Sequence, residues 1–395
     1  MKSGWAIKKL GELGTIVRGK GIRRNETVDR GLPCIRYGEI YTSYNYILDC
    51  PHSFVSKDVF ARCPKIKEGD VVFTLTGENK DEIAKALAYL GKDEIAAGGD
   101  LAIWSKHGCD PKFLAYMMYA PKLIEAKARA SNGDIIVHAS VKKMQEIDIP
   151  LPPLSEQKRI VAKIDAAFEK IDKLKANAEK NLANAKELFQ SALDEAMRPK
   201  DGWVEKRLGE VGTTLTGMTP STRDKSNFGN FMPFVKPADI MPFNPINYRE
   251  EGLSQKGVSC SRLIKSDSVL MVCIGASIGK TGYADRDCTC NQQINALMPN
   301  GFDGRYLYYM LSSDKFKKKL MEDAGQATLP IINKSKWENL SICVSLSLSE
   351  QREIVKRLDL LAEKIKILEQ NYSKQIADCM EMRQAVLREA FEGRL

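Results

Sequence analysis

The sequence predicts an α+β fold made of two globular α+β domains separated by two long helices that form an antiparallel coiled coil, with a pseudo-twofold internal repeat. Three observations predict this fold. Four sequence blocks recur in the same order, each repeat begins with short β-branched and aromatic runs broken by glycine and proline, and each repeat ends in a long segment of helical periodicity. A chain of 395 residues is also long enough for two folding units.

The internal repeat is visible as matching blocks at a nearly constant offset. Residues 5–15, WAIKKLGELGT, recur as residues 203–213, WVEKRLGEVGT. The other matching blocks are 33–40 with 233–240, 66–77 with 264–275, and 154–161 with 348–355. We therefore predict a tandem duplication of about 195 residues. Its four segments are a first globular domain (1–154), a first helix (155–198), a second globular domain (199–348) and a second helix (349–395).

Both globular domains combine strands with helices. Residues 70–76 and 268–274 are short apolar runs bounded by glycine or polar residues, which is typical of buried strands. Aromatic residues near 112–118 and 305–311 are spaced for one face of a helix. The two domains should therefore share one α+β framework.

Each long helix carries an apolar stripe with steps of three and four residues, as a coiled-coil seam requires. Ser155 is a plausible N-cap of the first helix, and Pro199 ends it. A helix of this length cannot bury its stripe on one small domain, so we expect the two stripes to pack on each other. A charge-covered helix lying on its own domain is the alternative. The seam is predicted at Ile160, Ile164, Ile171, Leu174, Leu182, Phe189, Ile354, Leu358, Leu361, Ile365, Leu368, Ile376 and Val386.

The formal net charge of +9 is concentrated in the two globular domains. Each domain carries +4, whereas the helices carry +1 and 0. Two basic modules favour a polyanionic partner. No apolar stretch approaches the ~20 residues of a membrane helix, and the ten scattered cysteines suit a reducing compartment, so we predict a cytoplasmic protein without a membrane partner.

Metal and catalytic motifs are weak. The pair Cys288 and Cys290 lacks the second Cys or His pair of a zinc site, and the three histidines lack acid, Cys or Ser partners at a recognisable spacing. Residues 275–281, GASIGKT, have three residues between the glycines where a phosphate loop needs four. We also find no methyltransferase motif, no glycine-rich cofactor fingerprint and no nuclease cluster, and therefore predict no catalytic site and no metal site.

The motifs resemble a known family. Two helix starts of the form LSEQ(K/R)xIV, each preceded by a domain that opens with WxxxxLGExG, resemble the specificity subunit of type I restriction–modification systems over essentially the whole chain. The resemblance implies that each globular domain is a target-recognition domain for one half of a split, asymmetric DNA target. It also implies that the helices set the spacing and dock two adenine-methyltransferase subunits, to which motor–nuclease subunits add. S-adenosylmethionine, ATP and Mg²⁺ would be bound by those partners, and no cofactor by this chain.

The candidate DNA contacts are basic or hydroxyl side chains in loops that glycine loosens. Arginine can bind guanine with two hydrogen bonds, and glycine lets the backbone approach the duplex. A solvated loop is the alternative for each single residue. For the lysine run at 315–319 a solvated helix face is the favoured interpretation, and non-specific phosphate contact is the alternative. The candidates are Arg18, Lys20, Arg23, Arg24 and Lys80 in the first domain, and Arg223, Lys225, Lys236, Ser277, Lys280 and Thr281 in the second.

Two other classes of function compete with DNA recognition. A coiled-coil scaffold for protein complexes would show no salt-dependent binding of duplex DNA. A self-sufficient DNA methyltransferase would be active alone with S-adenosylmethionine.

Overall fold

The computed structural model describes residues 5–133, 136–249, 251–324 and 330–395. The chain divides into two units: unit 1 holds residues 1–178 and 374–395, and unit 2 holds residues 179–373. Each unit therefore contains one globular domain and one portion of each long helix. A division into four consecutive segments, as in the sequence, does not describe this sharing of the helices.

The first repeat contains fifteen strands and six α-helices within the described residues. The strands are β1 (Ala6–Lys9), β2 (Thr15–Arg18), β3 (Thr27–Val28), β4 (Leu32–Ile35), β5 (Ile47–Leu48), β6 (Ser53–Val55), β7 (Lys65–Ile66), β8 (Val71–Thr74), β9 (Thr76–Gly77), β10 (Ala86–Tyr89), β11 (Ile95–Ala97), β12 (Leu101–Ser105), β13 (Ser131–Asn132), β14 (Val137–Ala139) and β15 (Asp148–Leu151). The helices are α1 (Tyr37–Thr42), α2 (Lys57–Arg62), α3 (Pro111–Met117), α4 (Pro121–Ala130), α5 (Val141–Gln145) and the long helix α6 (Leu154–Ala196).

The second repeat follows the same plan with fewer named strands. They are β16 (Val204–Arg207), β17 (Gly212–Thr216), β18 (Phe228–Gly229), β19 (Phe234–Val235), β20 (Gly252–Leu253), β21 (Ser268–Val272), β22 (Thr281–Ala284), β23 (Thr289–Cys290), β24 (Ile294–Pro299) and β25 (Ser341–Val344). The helices are α7 (Leu208–Val211), α8 (Gln255–Ser259), α9 (Gly304–Ser312), α10 (Asp314–Ala324), α11 (Lys334–Glu338) and the long helix α12 (Leu348–Phe391).

Strand order confirms the internal repeat. The main sheet of the first domain has the order β2-β12-β8-β10-β5, and that of the second has the order β17-β24-β21-β22. In both domains the first strand pairs antiparallel with the last one before the long helix, as β1 with β15 and β16 with β25. The predicted α+β class and the predicted helices near residues 112 and 305 are confirmed by α3 and α9.

The central strands are buried on both faces, as their continuous apolar sequence predicts. Successive side chains of a strand point to opposite faces. Accordingly, Val71 and Phe73 of β8 belong to the core that also holds α3 and the long helices, whereas Val72 belongs to a second core between the sheets. Strand β21 divides in the same way, with Met271 on one side and Leu270 on the other.

The LSEQ motif anchors each long helix to its globular domain. The Gln157 carboxamide accepts a hydrogen bond from Asp110 N (2.9 Å) and donates one to Pro152 O (2.9 Å). Gln351 makes the equivalent bonds to Asp303 N (2.8 Å) and Ser345 O (2.8 Å). Both glutamines are buried, so replacing either one with an apolar residue would leave its backbone partners without a hydrogen bond. The motif is therefore structural in both repeats.

The helix starts differ slightly from the prediction. Helix α6 begins at Leu154, and Pro153 O accepts the first backbone hydrogen bonds, so the assignment of Ser155 as N-cap is wrong. In α12 the capping hydroxyl belongs to Ser347, which accepts from Glu350 N (3.3 Å). The predicted position was too late because helix starts can be located from sequence only to within a few residues.

The long helices pair antiparallel within each unit, which confirms the predicted arrangement. In unit 1, Arg159 Nη2 donates to Leu395 O (2.7 Å), and Asp172 forms an ion pair with Arg383, so residue numbers rise along α6 as they fall along α12. In unit 2, Phe189 of α6 shares a core with Ile354 of α12. The helix segments also pack on the globular domain of their unit, so both interactions that the sequence left open occur together.

Most of the predicted seam positions are protected from solvent. The prediction that Leu174 and Leu368 belong to the seam is wrong, because these residues are 53 % and 39 % exposed. A helix of 3.6 residues per turn drifts away from a strict 3.5-residue repeat, so these positions rotate out of the contact while others, such as Phe168 and Leu193, rotate into it. The buried seam residues are Ile160, Ile164, Ile171, Phe189, Ile354, Leu358 and Ile365, and the half-buried ones are Leu182, Leu361, Ile376 and Val386.

Candidate nucleic-acid interface

The first candidate loop, residues 18–24, begins at a close approach of two backbone segments. Gly19 N donates to Leu101 O (2.8 Å), and Lys20 N donates to Ala97 O (3.1 Å). A Cβ atom at residue 19 would lie 1.9 Å from Gly98 O, so only glycine fits. The loop is thus held to the main sheet at its first residues.

The four cations of this loop are exposed: Arg18, Lys20, Arg23 and Arg24. The structure fixes Arg18 most firmly, because its Nε donates to Gly99 O (3.0 Å) and its Nη2 donates to Asp100 Oδ1 (3.2 Å). The loop therefore presents positive charge with one oriented guanidinium.

Lys80 lies in the connection between β9 and β10 and is exposed. Tyr41 holds this connection to the domain, since its hydroxyl lies 3.1 Å from Thr76 O and 3.3 Å from Glu82 O. Asn79 Oδ1 also accepts from Glu82 N (2.8 Å). The segment that carries Lys80 is therefore a structured turn.

In the second domain, Arg223 and Lys225 are exposed on either side of Asp224. A hydrogen bond from Lys256 (2.7 Å) and two from Ser226 lower the pKa of Asp224 to about 2. Asp224 is thus already paired within the domain. Lys236 is exposed as well, with Nζ 5.9 Å from the centre of the Phe234 ring.

Residues 273–280 form the hairpin connection between β21 and β22, and the structure contradicts one prediction there. Thr281 is 4 % exposed and its hydroxyl donates to Gly279 O (3.1 Å), so the prediction of Thr281 as a DNA-facing donor is wrong. Thr281 is the first residue of β22, where it pairs with Met271 of β21. The Thr281 side chain is therefore buried in the sheet and not exposed in the loop. Ser277 and Lys280 are half-buried. Because a strand rather than a helix follows, the loop lacks the helix N-terminus of a phosphate loop.

The lysine run 315–319 lies on helix α10 and is partly structural. Lys317 Nζ lies 5.8 Å from the centre of the Phe243 ring, and Lys319 Nζ donates to Ser341 O (3.0 Å). Lys315 and Lys318 are exposed. The interpretation as a solvated helix face thus applies to two of these four lysines.

The cysteines show no features of a metal or nucleophilic site. In the described part of the chain all ten are unpaired, and no group of three His, Cys, Asp or Glu residues could hold a metal ion. Cys288 and Cys290 are buried, and burial raises the pKa of both thiols, that of Cys288 to about 12. A protonated, buried thiol is a poor metal ligand and a poor nucleophile.

Two basic residues with unusual environments are not among the candidates that the sequence analysis named. Arg36 is half-buried at the start of α1, with its buried Nε 3.7 Å from Glu39 Oε2. Its match with Lys236 in the repeated block 33–40 was the signal that could have identified it. Lys127 of α4 is buried, with 2 % of its surface exposed. No sequence signal distinguishes it from Lys122, the exposed lysine of the same helix.

Helix length and hydropathy give no sign of a membrane-spanning segment. Among the described residues, every helix is too short or too polar to cross a bilayer.

A family model for the type I restriction modification DNA specificity domain matches residues 2–183 and again residues 200–377. The two matches follow the internal repeat. Among curated proteins, the specificity subunit of the type I restriction enzyme StySPI of Salmonella potsdam is 24 % identical over 100 % of this chain and 90 % of its own length. The EcoKI specificity subunit of Escherichia coli strain K12 is 22 % identical with the same coverage of both chains.

Solved structures show the same fold. A chain solved in work on complex assembly and conformational transition of the type I R-M system superposes with a TM-score of 0.80 at 24 % identity, and covers 100 % of this chain and 99 % of its own. The HsdS subunit from Thermoanaerobacter tengcongensis has a TM-score of 0.59 at 22 % identity, and covers 100 % and 98 %. With the family model matched twice, the chain belongs to the type I restriction–modification DNA specificity family, whose members are non-catalytic DNA-recognition subunits.

Proposed function

We propose that each globular domain binds one half of a bipartite, asymmetric double-stranded DNA target. The two long helices set the distance between the half-sites and dock two adenine-methyltransferase subunits, to which motor–nuclease subunits add for restriction. S-adenosylmethionine, ATP and Mg²⁺ are bound by those partners, and this chain binds no cofactor.

One observation carries the proposal: two domains with one framework differ in the segments that connect equivalent strands. Strands β8 and β21 are equivalent, yet the connection that follows β8 is residues 75–85 and the one that follows β21 is residues 273–280. The first bears acidic residues and Lys80, whereas the second is mostly small and apolar with Lys280. Equal scaffolds with unequal connections support recognition of two different half-sites.

Helix length supports a spacing role. Helices α6 and α12 have 43 and 44 residues. At 1.5 Å per residue each is about 65 Å long. Recognition proteins with two modules use module separation to select half-site spacing, and helices of this length support such a role.

A domain exchange tests the proposal. Residues 1–154 are replaced by the first globular domain of a relative with a different target, the chimera is expressed with its methyltransferase partner, and methylated adenines are mapped across the host genome. We expect one half of the methylated sequence to change and the other to persist. The reciprocal exchange of residues 199–348 is the matched control and should alter the other half only. A change in both halves from one exchange would contradict separate recognition.

Salt dependence separates DNA recognition from a purely structural coiled coil. The net positive charge lies mostly in the two globular domains. The logarithm of the duplex binding constant should therefore fall steeply and linearly with the logarithm of the salt concentration. Binding of a labelled duplex is measured from low to physiological salt. The absence of salt-dependent duplex binding would favour the scaffold.

A further inference from the structure

Four chain segments meet at the same place in each globular domain, and we call this place the four-segment junction. One segment follows the edge strand β2 or β17, and the others flank the central strands of the two sheets. The segments are 18–21, 35–38, 74–77 and 97–101 in unit 1, and 216–219, 235–238, 272–275 and 290–294 in unit 2.

The two junctions share one set of backbone hydrogen bonds. Four bonds of unit 1 have a counterpart in unit 2 between equivalent positions. The pairs are Gly19 N to Leu101 O (2.8 Å) with Gly217 N to Ile294 O (2.9 Å), Lys20 N to Ala97 O (3.1 Å) with Met218 N to Cys290 O (2.9 Å), Gly98 N to Ile35 O (2.9 Å) with Asn291 N to Val235 O (3.1 Å), and Leu75 N to Asp100 O (2.8 Å) with Cys273 N to Gln293 O (2.8 Å). The backbones of the two junctions are therefore equivalent at these bonded positions.

A glycine at the centre of each junction makes this backbone arrangement possible. A Cβ atom would lie 1.9 Å from Gly98 O at residue 19, and 2.2 Å from Asn291 O at residue 217. Both distances are far below contact, so neither position accepts a side chain. Because the scaffold is fixed in this way, any difference in what the junctions bind must come from the surrounding side chains.

In unit 1 the junction carries one oriented cation. Arg18 is 64 % exposed, while Gly99 O and the Asp100 carboxylate hold two of its guanidinium nitrogens. Residues 98 and 99 are glycines, so no side chain covers the adjacent backbone. An exposed guanidinium fixed from one side is suited to the paired acceptors O6 and N7 of guanine.

In unit 2 the equivalent positions carry amides. Asn291, Gln292 and Gln293 replace Gly98, Gly99 and Asp100, and a threonine replaces Arg18 at position 216. The Thr219 hydroxyl lies 2.6 Å from Gln292 Oε1, and Asn291 Nδ2 donates to Gln293 Oε1 (3.0 Å). Gln292 is exposed with an oriented carboxamide. A carboxamide matches the donor and acceptor of adenine at N6 and N7.

We propose that the two four-segment junctions are the base-contacting sites of the two domains, with Arg18 selecting guanine in one half-site and Gln292 selecting adenine in the other. This inference rests on the proposed function. Asp100 and Thr219 act as positioning residues, because they hold the guanidinium and the carboxamide.

The test selects sequences from a pool of DNA duplexes of random sequence with the full-length chain. Arg18→Gln should lose a guanine preference of about tenfold or more at one position of the first half-site and keep the second half-site. Gln292→Ala should lose an adenine preference of similar size in the second half-site only. The domain exchange above identifies which half belongs to which domain.

Matched controls are Arg129→Gln, an exposed arginine on α4, and Gln255→Ala, an exposed glutamine on α8. Both controls should keep every base preference, and thermal unfolding of all variants should match the wild type. If the wild type selects no two-part sequence, the proposed function fails and the inference falls with it. A wild type that selects a two-part sequence, with Arg18→Gln and Gln292→Ala keeping every base preference, overturns the inference alone. Loss of a preference for a different base, or in the other half-site, also overturns it.

Discussion

Lys127 is a buried lysine on a helix whose other lysine, Lys122, is exposed. It lies on α4 with Nζ donating to Ala84 O (3.2 Å), and burial lowers its pKa to about 7. Desolvation penalises the charged form, and the neighbouring Tyr119 ring, 5.8 Å away, compensates only weakly. Burial of Lys127 therefore costs the first domain stability at neutral pH, because the unfolded chain binds this proton more tightly than the folded chain does.

Replacing this lysine should stabilise the protein in a pH-dependent way. Between about pH 7 and pH 10 the unfolded chain binds the Lys127 proton and the folded chain does not, so wild-type stability rises with pH across this window. Lys127→Met removes the penalty at the cost of the hydrogen bond to Ala84. We expect a gain of about 1–3 kcal/mol near pH 7 that disappears toward pH 10. Urea unfolding at both ends of the window measures it.

The control for this prediction is Lys122→Met on the same helix, where the lysine side chain is exposed. Its effect should be within about 0.5 kcal/mol and should not depend on pH. A Lys127→Met protein that is less stable than the wild type at neutral pH, or that shows a constant difference, would contradict a penalised buried charge.

At the scale of elements, the long helices are tied to their domains by the same polar groups in both repeats. Asp165 of α6 accepts from the Tyr116 hydroxyl (2.6 Å) and pairs with Lys112, and Asp359 of α12 accepts from Tyr309 (2.6 Å) and pairs with Arg305. Together with the buried glutamines of the LSEQ motif, these contacts fix each helix start on α3 or α9. The repeated motif is therefore explained by anchoring and not by contact with DNA.

The corrected seam leads to a paired prediction on α6. Ile171 is buried in the unit 1 core, whereas Leu174 is mostly exposed. Ile171→Glu should lower the free energy of unfolding by about 3 kcal/mol or more, because an uncompensated carboxylate would be buried. Leu174→Glu should change it by less than about 0.5 kcal/mol. Urea unfolding of both full-length variants compares them directly, and equal losses would place Leu174 in the seam after all.

At the scale of the whole molecule, the proposed spacing role predicts an effect of helix length on the DNA target. Seven residues inserted after Leu174 and seven after Leu368, which are related by the repeat offset, add about 10 Å of helix. The permitted gap between half-sites should widen by about three base pairs. Sequencing of methylated sites measures the gap.

An insertion after Leu174 alone is the control for this experiment. It lengthens only one helix, so the paired stripes lose their match and assembly with the methyltransferase should fail. A doubly inserted protein that methylates sites with the original gap would refute the spacing role.

Much of the fold could be predicted because its signals are local or repetitive along the chain. The periodicity of residues 155–198 identified the long helix, and apolar runs such as 268–274 identified buried strands. The candidate interface was less accessible. Arg18 was found because it lies in a basic, glycine-rich loop, but the amides at 291–293 carry no charge and lie 73 residues or more beyond Met218, their neighbour at the junction.

The sequence by itself determined the duplication, the α+β class, the paired helices and the family, because repeats, periodicity and motifs are properties of order along the chain. Only the tertiary structure decided that Thr281 is buried, that Leu174 and Leu368 face solvent, and that each unit takes a portion of both long helices. It also decided which side chains meet at the four-segment junctions. These outcomes depend on contacts between residues far apart in the chain, such as Gly19 with Gly98, and burial is set by those contacts and not by neighbours in sequence.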